Sequence, residues 1–423
     1  MKVGLAYGDG RLAVELPAGV DLTVVEPTYQ PPLADPAAAL RGALRRPVAG
    51  PPLRDLVRPG QTVAISMCDG TRAQPRHLMV PAVLEELQGI VRPEDVTVLV
   101  ATGTHRGSTP AELRAMLGDV VDVVRVVNHD ARDDEQLEWL GWHDGDVPVL
   151  LNRTWLAADV RITTGFVEPH FFAGFSGGPK MVAPGLAGLE TVLALHNAAR
   201  IGSDRATWGV IEGNPVHDSI RSLVDAHGRV DFALDVALNR DQEIVAVFGG
   251  TLRPMHHAAT AAVRRLSMQP VAHRFDVVVT SNSGYPLDQN LYQAVKGMSA
   301  AAEVVEPGGS IICAAECRDG FPDHGSYRSL LASAASPGEL LRSIESSAST
   351  TPDQWQAQIQ ARIQSRARVL VHAGFLSDDE LAEAHLEPAA DIDATVSELV
   401  HSIGPSARVC VLPEGPQTIA YAR

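Results

Sequence analysis

Thr163–Gly188 reads TTGFVEPHFFAGFSGGPKMVAPGLAG, and the interpretation of the whole chain turns on this stretch. It places a histidine (His170), a lysine (Lys180) and six glycines in one short segment. Glycine permits positive φ and close backbone approach to a bound group, while Pro169, Pro179 and Pro184 stiffen the path around His170 and Lys180. A flexible linker would be polar and rich in Gly and Ser. Here Phe166, Phe171, Phe172 and Phe175 interleave instead, so the loop is expected to be anchored on a core.

The stretch opens on Val160–Thr164, one of several short apolar runs that alternate with amphipathic stretches, the pattern of strands followed by helices in an α/β protein. Thr62–Ser66, Val96–Ala101, Val121–Val127, Phe275–Thr280, Ser310–Ala314, Val369–Val371 and Arg408–Leu412 are the other expected strands. Open α/β sheets bind ligands at the carboxyl ends of their strands, so Asp69–Arg72, Thr102–Arg106 and Ser281–Tyr285 are all placed to line a cleft. Met268–Arg274 reads as a domain boundary. The expected division is 1–270 for an N-terminal domain and 271–407 for a C-terminal one, with 408–423 returning to complete the first.

Composition narrows the function. With 423 residues, 45% hydrophobic and 20% charged, the chain can bury two ordinary cores. A formal net charge of -16 without a Lys/Arg run argues against nucleic acid as a partner. No apolar run reaches the length of a membrane span, and MKVGLAYGDGRLAVELP lacks a signal-peptide core, so a cytoplasmic protein is expected. Cys68, Cys313, Cys317 and Cys410 lack zinc-site or disulfide spacing.

Five constellations carry candidate chemistry. Asp69-Gly-Thr-Arg72 puts a guanidinium at a strand end, where it either forks onto a carboxylate or pairs with Asp69 to fix the loop. Thr102-Gly-Thr-His-Arg106 offers hydroxyls and amides to an anion, with His105 beside them as an acid/base or a loop cap. Lys180 is not a Walker lysine, because Pro179 precedes it and Met181 follows; in its apolar setting it reads as an amine nucleophile or covalent anchor. His196 shares a predicted helical face with Leu189, Val192 and Leu193, and is either a core imidazole or a neutral metal ligand. Gln289, Gln293 and Lys296 fall on one face of a predicted helix, solvated or cleft-facing. Gly8-Asp-Gly10 runs into Val14-Glu-Leu-Pro17, which cannot open a helix, so a dinucleotide site is rejected. His77 and the pair His256-His257 show no metal-ligand spacing and read as surface residues.

DGTR at Asp69, TGTHRG at Thr102, EPHFFAGFSGGPKMVAPGLAG at Glu168, HN at His196 and GYPLDQNLYQAVKGM at Gly284 occur in this order, and together they resemble the nickel-dependent lactate racemase family over nearly the full length. The resemblance implies a two-domain α/β enzyme with a mainly parallel, Rossmann-like N-terminal domain, a smaller α/β C-terminal domain and the active site in the cleft between them. It implies a nickel-pincer nucleotide, a pyridinium mononucleotide holding nickel through two sulfurs and a ring carbon, tethered to Lys180 through a thioamide. Thr102, Gly103, Gly177 and Gly178 would lie against this cofactor and His196 would be the fourth nickel ligand. His105 and His170 would be the paired acid/base histidines, while Arg72, Tyr292, Gln293 and Lys296 would hold the substrate.

In that scheme one histidine takes the hydroxyl proton of a 2-hydroxy acid as C2 passes hydride to the cofactor, and hydride returns to the other face, which avoids a carbanion. Cofactor-maturation enzymes are implied as partners, and homo-oligomerisation is left open. Ala73 departs from the pattern, which often carries proline there, so a less rigid loop is expected; the resemblance leaves the substrate open among lactate, longer aliphatic or aromatic 2-hydroxy acids, malate and sugar acids. Tyr285, Phe171 and Phe172 as pocket lining would favour a short monocarboxylate. Two other classes remain: a non-catalytic carrier of the nickel nucleotide, which would not need His105 and His170, and a Schiff-base lyase using Lys180, which would leave His196 and Arg72 without roles.

Overall fold

A computed structural model describes residues 1–322 and 325–422, and its chain forms two compact units. The first comprises Tyr29–His196 and Gly209–Arg264. Its six-stranded sheet runs in the order Ile244–Gly250, Phe232–Leu238, Val160–Phe166, Val63–Cys68, Val96–Ala101, Arg125–Asn128. All neighbours are parallel except the first pair. Every residue of Val63–Cys68 is buried, as a parallel strand covered on both faces requires. Ile65, Val98, Ile162 and Leu234 lie at the centre of its core. Asp35 caps the amide of Ala38 and starts helix Pro36–Arg45, whose Leu40 and Leu44 face that core.

Strand order places the site. The chain passes from Val63–Cys68 outward to Val96–Ala101 on one side, and later returns to the other side as Val160–Phe166. The loops leaving these strands therefore diverge at a topological switch point, where an open α/β sheet leaves a crevice. Those loops are Asp69–Arg72, Thr102–Arg106 and the glycine-rich segment.

The second unit comprises Met1–Thr28, Asn197–Trp208 and Arg265–Arg423. Its sheet is all parallel, in the order Glu387–Pro388, Arg368–His372, Val305–Ala314, Phe275–Ser281, Arg408–Leu412, Asp21–Val24. An N-terminal hairpin, Lys2–Tyr7 with Gly10–Glu15, packs Leu5 and Val14 against Val277 and Val409. Gly8-Asp-Gly10 is the turn of that hairpin, consistent with rejection of a dinucleotide site.

Three expectations change. Arg408–Leu412 pairs with Phe275–Ser281 and Asp21–Val24, so it completes the second unit rather than the first, and Met1–Thr28 goes with it. The apolar alternation of these strands shows that they are buried but not beside which strand. Met268–Val271, read as a boundary, does follow the change of unit at Arg264/Arg265, but it is itself a strand and pairs with Ile419–Ala422. Val121–Val127 is not one strand: Val120–Val123 takes a helical turn closed by the Val124 amide on Val120 O, and only Arg125–Asn128 joins the sheet. Arg114 pairs with Asp122 of that turn at 2.5 and 2.7 Å, and β-branched propensity does not decide the conformation here.

Gly174 has φ +77°, and a Cβ there would stand 2.0 Å from Val210 O. We expect Gly174→Ala to lower the unfolding free energy by about 2–4 kcal/mol. Urea denaturation followed by tryptophan fluorescence measures this; a change within error of zero would contradict the packing described.

Candidate active site

The Asp69–Arg72 loop is held by a residue outside the motif. Arg76, buried at the start of helix Arg76–Leu87, donates to four backbone carbonyls: Nε to Cys68 at 2.8 Å, Nη1 to Gln74 at 3.1 Å, and Nη2 to Asp69 and to Arg72. A planar guanidinium is suited to this many fixed acceptors. Asp69 Oδ1 accepts from the Thr71 amide at 3.2 Å and hydroxyl at 2.7 Å, and its Oδ2 lies 2.7 Å from His105 Nδ1. Burial pushes the Asp69 carboxyl up. The hydrogen bond and charge of His105, the charge of Arg72 and the Thr71 hydroxyl outweigh this and hold it below the usual carboxylate value. As an anion, Asp69 accepts a hydrogen bond from Nδ1–H and orients the ring, which leaves Nε2 as the nitrogen directed away from the carboxylate.

The sequence offered Asp69 as a loop-fixing partner of Arg72; its carboxylate instead contacts Thr71 and His105, the latter a partner that sequence did not reveal. The Arg72 guanidinium, half-buried, approaches Thr71 O and Oγ1 at 3.5 Å.

Backbone hydrogen bonds link the other two loops. The Gly103 amide donates to Gly185 O at 3.0 Å and the Gly185 amide to Lys180 O at 3.1 Å. Thr102 is buried with its hydroxyl on His129 O at 2.5 Å, so it supports the loop from below. Phe172 then gathers the side chains. Its ring centroid lies 4.5 Å from that of His170, 5.3 Å from His196 and 5.8 Å from Lys180 Nζ. His170 also stacks on Phe171 at 5.0 Å. Phe171 and Phe172 are buried among these groups, so they pack the site.

The glycines at 177 and 178 are required by internal packing. A Cβ at Gly177 would lie 2.7 Å from Asp235 Oδ2, and one at Gly178 would lie 2.5 Å from the His256 ring. His256 is therefore not the surface residue its sequence suggested: it is buried, with Nε2 3.0 Å from Ser176 O, while His257 and His77 are exposed. His217 stacks on His256 at 5.7 Å. A helix pattern in which His217 shares a face with Ile220, and His256 with Leu252 and Ala259, was the available signal.

His196 sits at the end of helix Leu189–Leu195, its Nδ1 2.7 Å from Val192 O. Burial first, and the charge of Lys180, lower its pKa to about 4 against the pull of that carbonyl, so the ring is neutral with its lone pair on Nε2. Burial likewise brings His256 to about 4 and His217 to about 3, and raises Asp235 to about 7.

Tyr292, Gln293 and Lys296 belong to the second unit, on helix Leu291–Ala302, which Asn290 caps at the Gln293 amide. Lys296 Nζ donates to Gln293 Oε1 at 2.7 Å, and the Tyr292 hydroxyl accepts from Trp355 Nε1 at 3.2 Å. Gln289 precedes the helix and does not share its face. Tyr285 is half exposed beneath the Arg318 guanidinium, 4.3 Å from its ring centre.

Comparison with known proteins agrees with this architecture. Residues 7–209 match the lactate racemase N-terminal domain and residues 271–420 the lactate racemase C-terminal domain. The chain belongs to the lactate racemase family. A lactate racemase of Thermoanaerobacterium thermosaccharolyticum is 34% identical over 99% of both chains, and one of Lactiplantibacillus plantarum is 36% identical over 88% of both. The solved lactate racemase apoprotein from Thermoanaerobacterium thermosaccharolyticum superposes with a TM-score of 0.92 at 31% identity, covering 99% of this chain and 100% of that one. A Thermotoga maritima protein, 19% identical, shares the fold over 94% of this chain and 100% of its own, with a TM-score of 0.68. This lactate racemase family member is thus a racemase, an isomerase. No helix among its described residues is long and apolar enough to cross a membrane.

Two outcomes follow from the geometry. Unfolded histidines titrate near about 6.5, so between that pH and about 4 the unfolded chain binds protons at His196, His217 and His256 that the folded chain excludes, while Asp235, protonated only in the folded state over most of this range, offsets one. Stability should therefore fall as pH drops from about 6.5 to about 4, more steeply than the about 1.4 kcal/mol per pH unit of a single proton. Denaturation at closely spaced pH values reads the slope. Separately, Arg76→Lys cannot serve four carbonyls. It should cost about 1–3 kcal/mol and lower racemase kcat roughly tenfold by releasing Asp69 and Arg72; steady-state kinetics of the folded variant would show an unchanged kcat if the brace were unimportant.

Proposed function

We propose that this racemase interconverts D- and L-lactate, using a nickel-pincer nucleotide tethered through Lys180. The observation that carries the reading is the Phe172 cluster, which puts a neutral buried imidazole, a lysine amine and His170 around one ring at a sheet switch point. The donor set suits the group. His196, buried and neutral, offers one borderline imidazole nitrogen of the kind that binds nickel. Val192 O fixes its tautomer as an outer-shell partner does in metal sites.

Lys180 would tether the nucleotide, His196 Nε2 would complete the nickel coordination, and Thr102, Gly103, Gly177 and Gly178 would form the floor beneath it. When bound, the group supplies a hydride acceptor. The chain does the rest. Arg72 would bind the substrate carboxylate, and the family resemblance gives Lys296, held by Gln293, and Tyr292 as substrate-binding residues of the second unit. His105 Nε2 takes the hydroxyl proton of one enantiomer, oriented by Asp69 through Nδ1. His170 enters that direction protonated and gives its proton to the oxygen of the other enantiomer. The reverse direction starts from the opposite protonation. The carboxylate contacts keep the planar 2-oxo acid from escaping while it turns. Phe171 and Phe172 keep water from the His170 side.

The substrate is taken as lactate because the curated relatives are lactate racemases; Ala73 and the half-exposed Tyr285 favour no larger acid. A carrier of the nickel nucleotide would have no use for the Asp69–His105 pair, which favours catalysis. We further take the protein to act in the cytoplasm and to depend on cofactor-maturation enzymes.

The test compares protein made with and without those enzymes. Loaded protein should carry an added mass on Lys180 and nickel, and Lys180→Ala should lose both; racemisation of lactate by unmodified, nickel-free protein would refute the reading. In loaded His105→Ala and His170→Ala, racemisation should fall at least about a thousandfold in both directions while a single turnover to bound 2-oxo acid survives for one enantiomer, a different one in each variant. Rapid-mixing spectra showing the same response to both enantiomers would remove the division of labour.

A further inference from the structure

Asp235 has no part in the scheme above, yet the glycine-rich segment is built around it. It lies in strand Phe232–Leu238, fully buried, opposite Gly165 in the neighbouring parallel strand. A Cβ at Gly165 would stand 2.8 Å from Asp235 Oδ1, and one at Gly177 would stand 2.7 Å from Oδ2. Oδ2 accepts the Gly178 amide at 2.7 Å, and Oδ1 has no hydrogen-bond partner among the described residues. Burying a carboxyl at this depth is costly, and an apolar side chain would fill the space without that cost. Burial raises its pKa to about 7, with the Gly178 and Gly165 amides pulling the other way.

The position of this hydrogen bond suggests its use. Lys180 rides on a single 3-10 turn, Gly178–Met181. Asp235 holds the first residue of that turn through its amide, and the Ser66 hydroxyl holds the last by donating to Met181 O at 2.7 Å. Both anchors stand on core strands, so Lys180 sits between two fixed points. Gly177 and Gly178, at φ +71° and +54°, bring the chain down onto the carboxyl.

We propose that Asp235 is the positioning residue for Lys180: by accepting the Gly178 amide it fixes the turn that presents the lysine amine for covalent attachment. It acts through the backbone and touches no reacting atom. Its physiological meaning rests on the tether reading above, but the presentation of the amine is measurable without any cofactor.

The chain has three lysines, Lys2, Lys180 and Lys296, and the exposed Lys2 serves as an internal standard. Protein made without maturation enzymes is pulsed with an acetylating N-hydroxysuccinimide ester, and the Lys180:Lys2 labelling ratio is read by peptide mass spectrometry in the parent, Asp235→Ala and Asp235→Asn. Without its anchor the turn relaxes onto the apolar Phe172 and Met181 surroundings, so the ratio should fall at least about fivefold in Asp235→Ala, while Asp235→Asn, which keeps an acceptor oxygen, should stay within about twofold of the parent. Covalent loading at Lys180 in co-expressed protein should follow the same order.

An unchanged or raised ratio in Asp235→Ala overturns the proposal, as does an equal fall in both variants. Should Asp235→Ala be recovered unfolded, hydrogen exchange of the Gly178 amide in Asp235→Asn decides: parent-like protection supports the acceptor role, and exchange faster by about tenfold or more overturns it. Absence of any adduct on Lys180 in the loaded parent would count against the tether, while the labelling ratio would still report on Asp235.

Discussion

Close backbone approach is the constraint on which this site depends. At Gly165, Gly174, Gly177, Gly178 and Gly185 the chain lies nearer to the sheet and to itself than a Cβ would allow: at Gly185 one would stand 2.9 Å from both Ala101 Cβ and Lys180 O. That proximity lets the Gly185 amide reach Lys180 O while Gly185 O receives the Gly103 amide, so the loops from two different strands are joined by main-chain hydrogen bonds. Such bonds do not depend on flexible side chains. The lysine and the loop carrying His105 consequently share one rigid support, as a site held to sub-ångström tolerance requires.

Desolvation gives the support its electrostatic character. The protein is acidic overall, with a formal net charge of -16, yet the buried groups around Lys180 are neutral imidazoles, at His196, His217 and His256, together with a carboxyl whose ionisation burial opposes. Asp69 is the contrast: it is also buried, but hydrogen bonds and neighbouring cations keep it ionised. Two carboxyls of one unit are thus driven in opposite directions by their partners. The charged one orients a half-exposed histidine, and the other accepts the Gly178 amide.

The two units are built alike at their strand ends. In the second, Ser281 and Ser283 close the mouth of the sheet by donating to Pro413 O at 2.7 Å and Glu414 O at 2.9 Å, beneath the start of the segment that leads into helix Leu291–Ala302. In the first, Arg76 does the equivalent work on four carbonyls. Both devices use side chains to satisfy backbone groups that a sheet leaves open where it hands over to a loop. Family membership is carried by the motifs in those loops, but these braces keep the motifs in place.

The sequence by itself determined the fold class and most of the candidate residues, because these are written in local patterns. Continuous apolar runs announce doubly covered strands, and DGTR, TGTHRG and the glycine-rich segment each follow one directly. His105, His170 and Lys180 were legible as candidates for that reason, His196 from its place on an apolar helix face, and the family from the order of the motifs. Pairing was not legible. That Arg408–Leu412 and Asp21–Val24 lie side by side, that Asp69 rather than a neighbour in sequence orients His105, and that Asp235 and His256 occupy the space left by three glycines are contacts between residues far apart in the chain. Propensity and periodicity report how deeply a residue is buried, whereas its partner is set by strand order and by which side chains a missing Cβ lets in. Only the tertiary structure decides those.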